Sequence, residues 1–187
     1  AFDKAIVGIK AAKDAGFTVC TNTTIYKQTD VDEIRALIQF LEDIKIDGIL
    51  ISPGFDYTDA SNQAVFMTRE YIIDKFSKLR PKLNGKKIWS TPLFLDYLAG
   101  KRDYTCTPWG NVTYNVLGWK APCYLVTDKH YSSFKSFMED VDWSRYGHKT
   151  DARCANCMAH CGVEPSVALT VGGSITDLVR MAKWTLF

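Results

Sequence analysis

Gly48-Ile-Leu-Ile-Ser52, closed by Pro53-Gly54, is the stretch on which the reading of the fold turns. Five residues with no polar alternation describe a strand buried on both faces, as in a parallel sheet covered by helices. Before it, Ile34, Leu37, Ile38, Leu41 and Ile44 recur at helical spacing behind Asp30 and Glu33, an N-cap with its capping-box partner. Earlier still, Phe2, Ala5, Ile6, Ile9 and Ala12 mark a helix ended by Gly16, and Phe17 to Thr21 reads as a strand. After it, Thr68 to Leu79 reads as a helix, Lys87 to Ser90 as a third strand, and Pro92 to Leu98 as a short helix stopped by Gly100. The alternation predicts an α/β fold of three parallel βα units. Three strands leave both sheet edges bare, so the fragment calls for further βα units to complete a barrel or half-barrel.

The chain has 187 residues, 47% apolar and 13% aromatic, with a net charge of +2. That composition supports a packed core and gives no strong field for nucleic acid. No apolar run approaches the length of a membrane span, and no export signal is visible. The first residues, Ala-Phe-Asp-Lys, already lie inside a helical pattern, which reads as a chain cut from a longer one.

From about Tyr104 the texture changes, with dense Cys, Trp, Pro, Gly and Asn. The chain therefore divides into 1–103 and 104–187, the second part an irregular, cysteine-rich α+β module. Tyr114 to Trp119 and Tyr124 to Thr127 suggest a hairpin, Ser132 to Met138 an amphipathic helix, and Ile175 onward a helical tail. No internal repeat is present.

The chemistry concentrates in cysteines. Cys154-Ala-Asn-Cys157-Met-Ala-His-Cys161 is a C-x2-C-x3-C run, close enough to wrap thiolates around one metal centre. An iron–sulfur cluster and a structural zinc both take about four such ligands, and His160 lies within the run, so spacing leaves both open. Cys106 and Cys123, separated by a turn at Gly118, supply further thiols or, equally, buried inert ones. Six cysteines in a core-rich chain without an export signal suit ligation in a reducing cytosol better than disulfides. Gly118 and Gly162 would ease the turns that bring the thiols together. Asn22, past the first strand, is either a turn residue or a polar group at the ligand-bearing end of a βα unit. Cys20 shares its strand face, and Ser52 ends the second strand. His130 and His148 read as surface or helix-end residues. Asp56, Asp59 and Glu70 read as solvated charges flanking a long loop, and Trp109, Trp119 and Tyr124 as core aromatics or the walls of an apolar pocket.

Cys106-Thr-Pro-Trp-Gly-Asn, Gly118-Trp-x-x-Pro-Cys-Tyr-Leu and Cys154-x-x-Cys-Met-x-His-Cys-Gly-x-Glu-Pro resemble the C-terminal region of the radical S-adenosylmethionine (SAM) proteins of hopanoid biosynthesis, the adenosylhopene transferase family. Thr21-Asn-Thr-Thr-Ile25, Gly48 to Gly54 and Thr91-Pro-Leu-Phe-Leu-Asp-Tyr-Leu-Ala-Gly100 extend the likeness over nearly the whole chain. The spacing Cys106-x11-Gly118-x4-Cys123 is similar to the auxiliary-cluster module of other radical SAM enzymes. The resemblance implies the C-terminal part of a partial (β/α)6 barrel and a [4Fe-4S] cofactor. It further implies SAM bound near Asn22 and Ser52, and transfer of a 5′-deoxyadenosyl radical to hopene. It implies a hydrogen-donating thiol, for which Cys106 and Cys20 are candidates, and a reductant such as flavodoxin or ferredoxin. The expected place is the cytoplasm, with peripheral membrane contact through the polycyclic triterpene substrate. The C-x3-C-x2-C motif that binds the SAM-cleaving cluster in that family is not in this sequence, so the 187-residue chain is expected not to cleave SAM by itself. Two other readings stay open: the same build with another substrate, and a zinc-stabilised interaction module without catalysis.

Overall fold

The computed structural model describes residues 1–57 and 60–186; Asp59 lies outside them. The N-terminal half runs α1 (Phe2–Asp14), β1 (Cys20–Ile25), α2 (Val31–Asp43), β2 (Gly48–Pro53), α3 (Arg69–Leu79) and α4 (Pro92–Leu98). β1 and β2 pair in parallel, with Cys20 opposite Gly48, Asn22 opposite Leu50 and Thr24 opposite Ser52. The protein is thus α/β, with its strand direction as the βα alternation requires. Asp30 caps α2 through the Asp32 amide, and Glu33 reaches back to the Asp30 amide at 2.9 Å. Ile34, Ile38 and Leu41 of α2 bury against Ile49 and Ile51 of β2 and against Ile72, Phe76 and Leu79 of α3. A single buried lysine finishes β1: Lys75 Nζ donates to the carbonyls of Tyr26, Lys27 and Thr29 at 2.6–2.9 Å.

Two strand expectations need correction. The first strand begins at Cys20 rather than Phe17, because residues 17–19 unwind from α1 and Asp47 receives the Val19 amide at 2.6 Å. The third strand is reduced to one parallel bridge, Ile49 to Ile88. Ile49 donates to Lys87 O and Trp89 donates to Ile49 O, both at 2.9 Å, as a parallel ladder would. On the next rung the Ser90 hydroxyl replaces the backbone, accepting from Ile51 N at 2.9 Å and donating to Ile51 O at 3.2 Å. Thr91 then caps α4 at once, and Trp184 Nε1 takes the Ile88 carbonyl at 3.0 Å. The chain leaves the sheet before a strand can form.

Beyond residue 103 the chain forms an antiparallel sheet, β3 (Thr113–Asn115), β4 (Gly118–Pro122) and β5 (Thr127–Tyr131). The expected hairpin is therefore three strands, and the segment 124–126 is its second connection. α5 (Phe134–Asp140) covers this sheet, packing Phe137 against Trp119, Tyr131 and Trp143. α6 (His160–Thr170) and α7 (Ile175–Leu186) return to the first half. Met158, Val163 and Val167 join the same core as β2, α3 and α4, so the larger core draws on both sides of residue 103. Among the described residues no helix is long and apolar enough to cross a membrane.

Asp96 of α4 locks this assembly. Its carboxylate, 9% exposed, accepts from Arg80 Nε at 2.9 Å and Arg180 Nη2 at 2.6 Å. Burial alone would raise its pKa, but the bonds from Arg180 and Arg80 outweigh burial and hold it below the usual carboxylate range. Asp96→Asn should cost about 3 kcal/mol at pH 7, because two guanidinium groups lose their buried counter-charge. A depressed carboxylate pKa gives stability that is present above about pH 4 and lost as pH falls through the folded value. Urea unfolding from pH 7 down to pH 3 should show a steep acid limb in the parent and a flatter one in the variant.

Candidate functional site

The thiols are placed by short, locally determined turns. Cys123 directly follows β4, and its sulfur accepts from the Val126 amide at 3.4 Å. Cys154 ends a 3₁₀ turn, Ala152–Cys154, capped by Asp151, which accepts from the Arg153 amide at 2.9 Å. Cys157 N donates to Cys154 O at 2.9 Å and closes the C-x2-C loop. Arg69, at the start of α3, stitches this loop to the first half, with its amide 3.2 Å from Asn156 Oδ1 and its guanidinium 3.4 Å from Cys157 O. Cys161 is the second residue of α6.

Cys106 arrives from elsewhere, on the segment laid along α6. Thr107 N donates to Gly162 O at 2.8 Å, and Ser166 Oγ donates to Thr105 O at 2.5 Å. The Thr107 and Ser166 hydroxyls also bond each other. The Cys106 sulfur lies where a β-carbon on residue 162 would have to stand. Gly162 is therefore a place of close approach inside a helix, and not the turn expected of it. Gly118 does serve a turn, with φ +115° and no room for a β-carbon beside the Tyr131 carbonyl. A second tie joins α6 to α4: the half-buried Glu164 carboxylate accepts from Thr91 N at 3.0 Å and Thr91 Oγ1 at 2.5 Å. Burial raises the Glu164 pKa, and these two bonds oppose the rise.

Cys106, Cys123, Cys154, Cys157 and Cys161 line one cavity of about 40 Å³, with Tyr97, Tyr146 and His148 among its other walls. That space suits a few water-sized groups and is far below the several hundred Å³ of an organic ligand pocket. Burial pushes the Cys106 thiol up to about 12 and Cys161 to about 11, each raised further by neighbouring cysteines. Burial raises Cys157 and Cys154 too, opposed by the amides of Ala159 and Gly147 respectively. Without a cation these groups are neutral thiols; a bound metal inverts that preference by supplying the missing positive charge. Among the described residues no three Cys, His, Asp or Glu side chains already stand in metal-bonding geometry.

The other expected residues lie apart from this cavity. Cys20 and Asn22 are exposed on one face of β1, and Ser52, buried, is on the same face of β2. That face is opposite the one on which Ile49 and Ile51 meet the helices. His160 faces a shallow groove with Trp109 and Pro165, outside the thiol-lined cavity. Trp119 belongs to the small core under α5. Tyr124 lies beside Cys161, its hydroxyl pKa raised by burial and by that thiol. His130 bonds Asn115 at 3.1 Å. His148 is a cavity wall that spacing alone did not reveal, although it lies only six residues before Cys154. Burial, then Arg69, lowers its pKa.

Residues 49–181, well over half of the chain, match the family described as Domain of unknown function (DUF3463), and the chain belongs to that family. No curated protein and no solved structure matches it.

The close approach at Gly162 generates a stability test. Gly162→Ala should cost about 1–3 kcal/mol by overpacking against the Cys106 sulfur. In a Cys106→Ala background the sulfur is gone and the penalty should largely vanish, a coupling that a double-mutant cycle in urea reads directly.

Proposed function

We propose that this chain is part of a radical SAM enzyme that joins a 5′-deoxyadenosyl carbon to hopene, and that its thiol-lined cavity holds an auxiliary [4Fe-4S] cluster. The convergence of five cysteines on one small cavity supports the cluster. The hopanoid reading rests on the motifs around Cys106, Cys123 and Cys154. Soft sulfur donors suit iron–sulfur or zinc, and five thiols exceed the four that either needs. With His160 outside the cavity, a zinc site would also have to be built mainly from thiolates. When bound, such a cluster supplies a one-electron centre whose potential is set by burial and by hydrogen bonds to its sulfurs.

The cavity is too small for a triterpene, so substrate and SAM are met elsewhere. In this reading β1, β2 and the Ile88 bridge belong to a partial (β/α)6 barrel. The face carrying Cys20, Asn22 and Ser52 turns away from the helices, as the interior of a barrel does. There Asn22 and Ser52 offer polar groups to SAM, with Asn22 providing both a donor and an acceptor. Reductive cleavage of SAM would release methionine and a 5′-deoxyadenosyl radical, whose addition to the alkene would leave a carbon radical; a thiol would give that radical a hydrogen atom, and a second electron from the reductant with a proton from solvent would restore the thiol. Cys20, exposed on the Asn22 face, is the preferred candidate for that role, because Cys106 faces the thiol-lined cavity instead. A flavodoxin- or ferredoxin-type protein supplies the electron for SAM cleavage.

Two measurements test this. Anaerobic reconstitution of the chain should yield about four irons and four sulfides per molecule; zinc without sulfide would replace the cluster with a structural metal. The enzyme expressed from the whole reading frame, given SAM, hopene and a reductant, should form an adenosylated hopane seen by mass spectrometry. SAM cleavage without that product would move the enzyme to another substrate.

A further inference from the structure

The first two cysteines of the C-x2-C-x3-C run are joined by a closed backbone turn. Cys157 N donates to Cys154 O at 2.9 Å, and Ala155, the first residue between them, sits at φ −53°, ψ −43°. These are the marks of a type I turn, whose end α-carbons stand within about 7 Å of each other. A disulfide spans α-carbons about 4–7 Å apart. Both sulfurs line the same small cavity, so they project to one side of the turn. The turn is also fixed from both flanks. Before it, Cys154 N donates to Asp151 O at 2.9 Å. Within it, Asn156 accepts from the Arg69 amide at 3.2 Å and donates to Asp56 at 3.3 Å. At its end, the Arg69 guanidinium holds Cys157 O at 3.4 Å. A bond across a turn already ordered this way costs little further chain entropy. Both thiols are partly exposed, whereas Cys161 is buried. Cys161 is also set apart along the chain. Ala159 before it is extended, at ψ 146°, and Met158 is sunk in the main core at 1% exposure. Cys106 and Cys123 lie on other segments, away from this turn.

We propose that Cys154 and Cys157 form a redox-active dithiol whose reaction partner is a small disulfide, with glutathione disulfide as the type. One protein thiolate attacks glutathione disulfide, which releases a glutathione thiolate and leaves a mixed disulfide. The second protein thiolate displaces the remaining glutathione and closes the Cys154–Cys157 bond. The two cysteines give up two electrons and two protons, and glutathione disulfide takes both to become two molecules of glutathione. Excess glutathione runs the same exchange backward. In a reducing cytosol the pair rests as a dithiol, and the bond forms as the glutathione pool becomes oxidised. The exchange needs no metal, so it goes beyond the cluster reading and does not rest on it.

The test uses the metal-free 187-residue chain, reduced, freed of metal with a chelator and incubated anaerobically with excess glutathione disulfide. Remaining thiols are then alkylated with iodoacetamide. Trypsin, cutting after Arg153 and Arg180, releases Cys154, Cys157 and Cys161 on one peptide. Its fragment ions should show the label lost from Cys154 and Cys157, a bond between them, and the label retained on Cys161. Excess glutathione added before alkylation should restore both labels. Cys154→Ser and Cys157→Ser should each stop at a glutathione adduct on the surviving partner. A main cross-link between any other pair overturns the proposal. So does a parent in which Cys154 and Cys157 stay labelled, or in which glutathione remains on one of them without closure. The parent's own peptide map decides even where a serine variant misfolds. With no metal present, failed cross-linking leaves the cluster reading standing, and failed iron–sulfur reconstitution leaves the dithiol standing.

Discussion

The structure depends on one steric allowance, the missing side chain at position 162. It lets the segment around Cys106 lie directly on α6, close enough for Thr107 to bond the Gly162 carbonyl and for Ser166 to reach back to Thr105. Any β-carbon there would lift that segment and carry Cys106 out of the cavity wall. The sequence neighbour of Gly162 is Cys161, so the contact that seats the helix also sets the distance between a local thiol and a remote one. Packing and site chemistry are fixed by the same atom-scale fit.

That fit is reinforced from α4. Glu164 grips the N-cap of α4 through both the amide and the hydroxyl of Thr91, while Asp96 on α4 draws in Arg80 and Arg180. The short helix after the sheet is thus tied to α6 at its start, and to the segment following α3 and to α7 along its length. Between these polar ties, Met158, Val163 and Val167 sink into the core that β2 and α3 build. The cysteine-rich region is mechanically part of the α/β half.

Much of this was legible because it is local. The α2 capping box, the uninterrupted β2 strand and the Thr91 and Pro92 opening of α4 are each encoded within a few residues, and each is found in place. What escaped depends on non-local partners or on residues of mixed preference. β1 runs through Thr21-Asn-Thr-Thr24, whose polar side chains look like a turn but lie along a strand with one exposed face. The third strand fails at a side chain, where Ser90 imitates a backbone partner. α6 went unread because Pro165, a residue that ordinarily breaks helices, lies inside it and because Cys161, taken only as a ligand, hides its first turn. The gathering of Cys106 and Cys123 with the later run is a tertiary event. Sequence could name the five candidates, but their meeting around one cavity shows only in the packing.

Met158 stands between Cys157 and Cys161 and is 1% exposed, a full member of the main core. The loop that would wrap a metal is therefore pinned at its middle by a side chain that cannot leave without disturbing β2, α3 and α4. In many small metal sites a ligand loop swings out on its own, and metal escapes quickly. If the cavity holds a metal as proposed, its escape would require the core around Met158 to open. A centre held this way would exchange with solution on the timescale of whole-chain unfolding, and its lifetime would be governed by apolar packing as much as by the strength of sulfur–metal bonds.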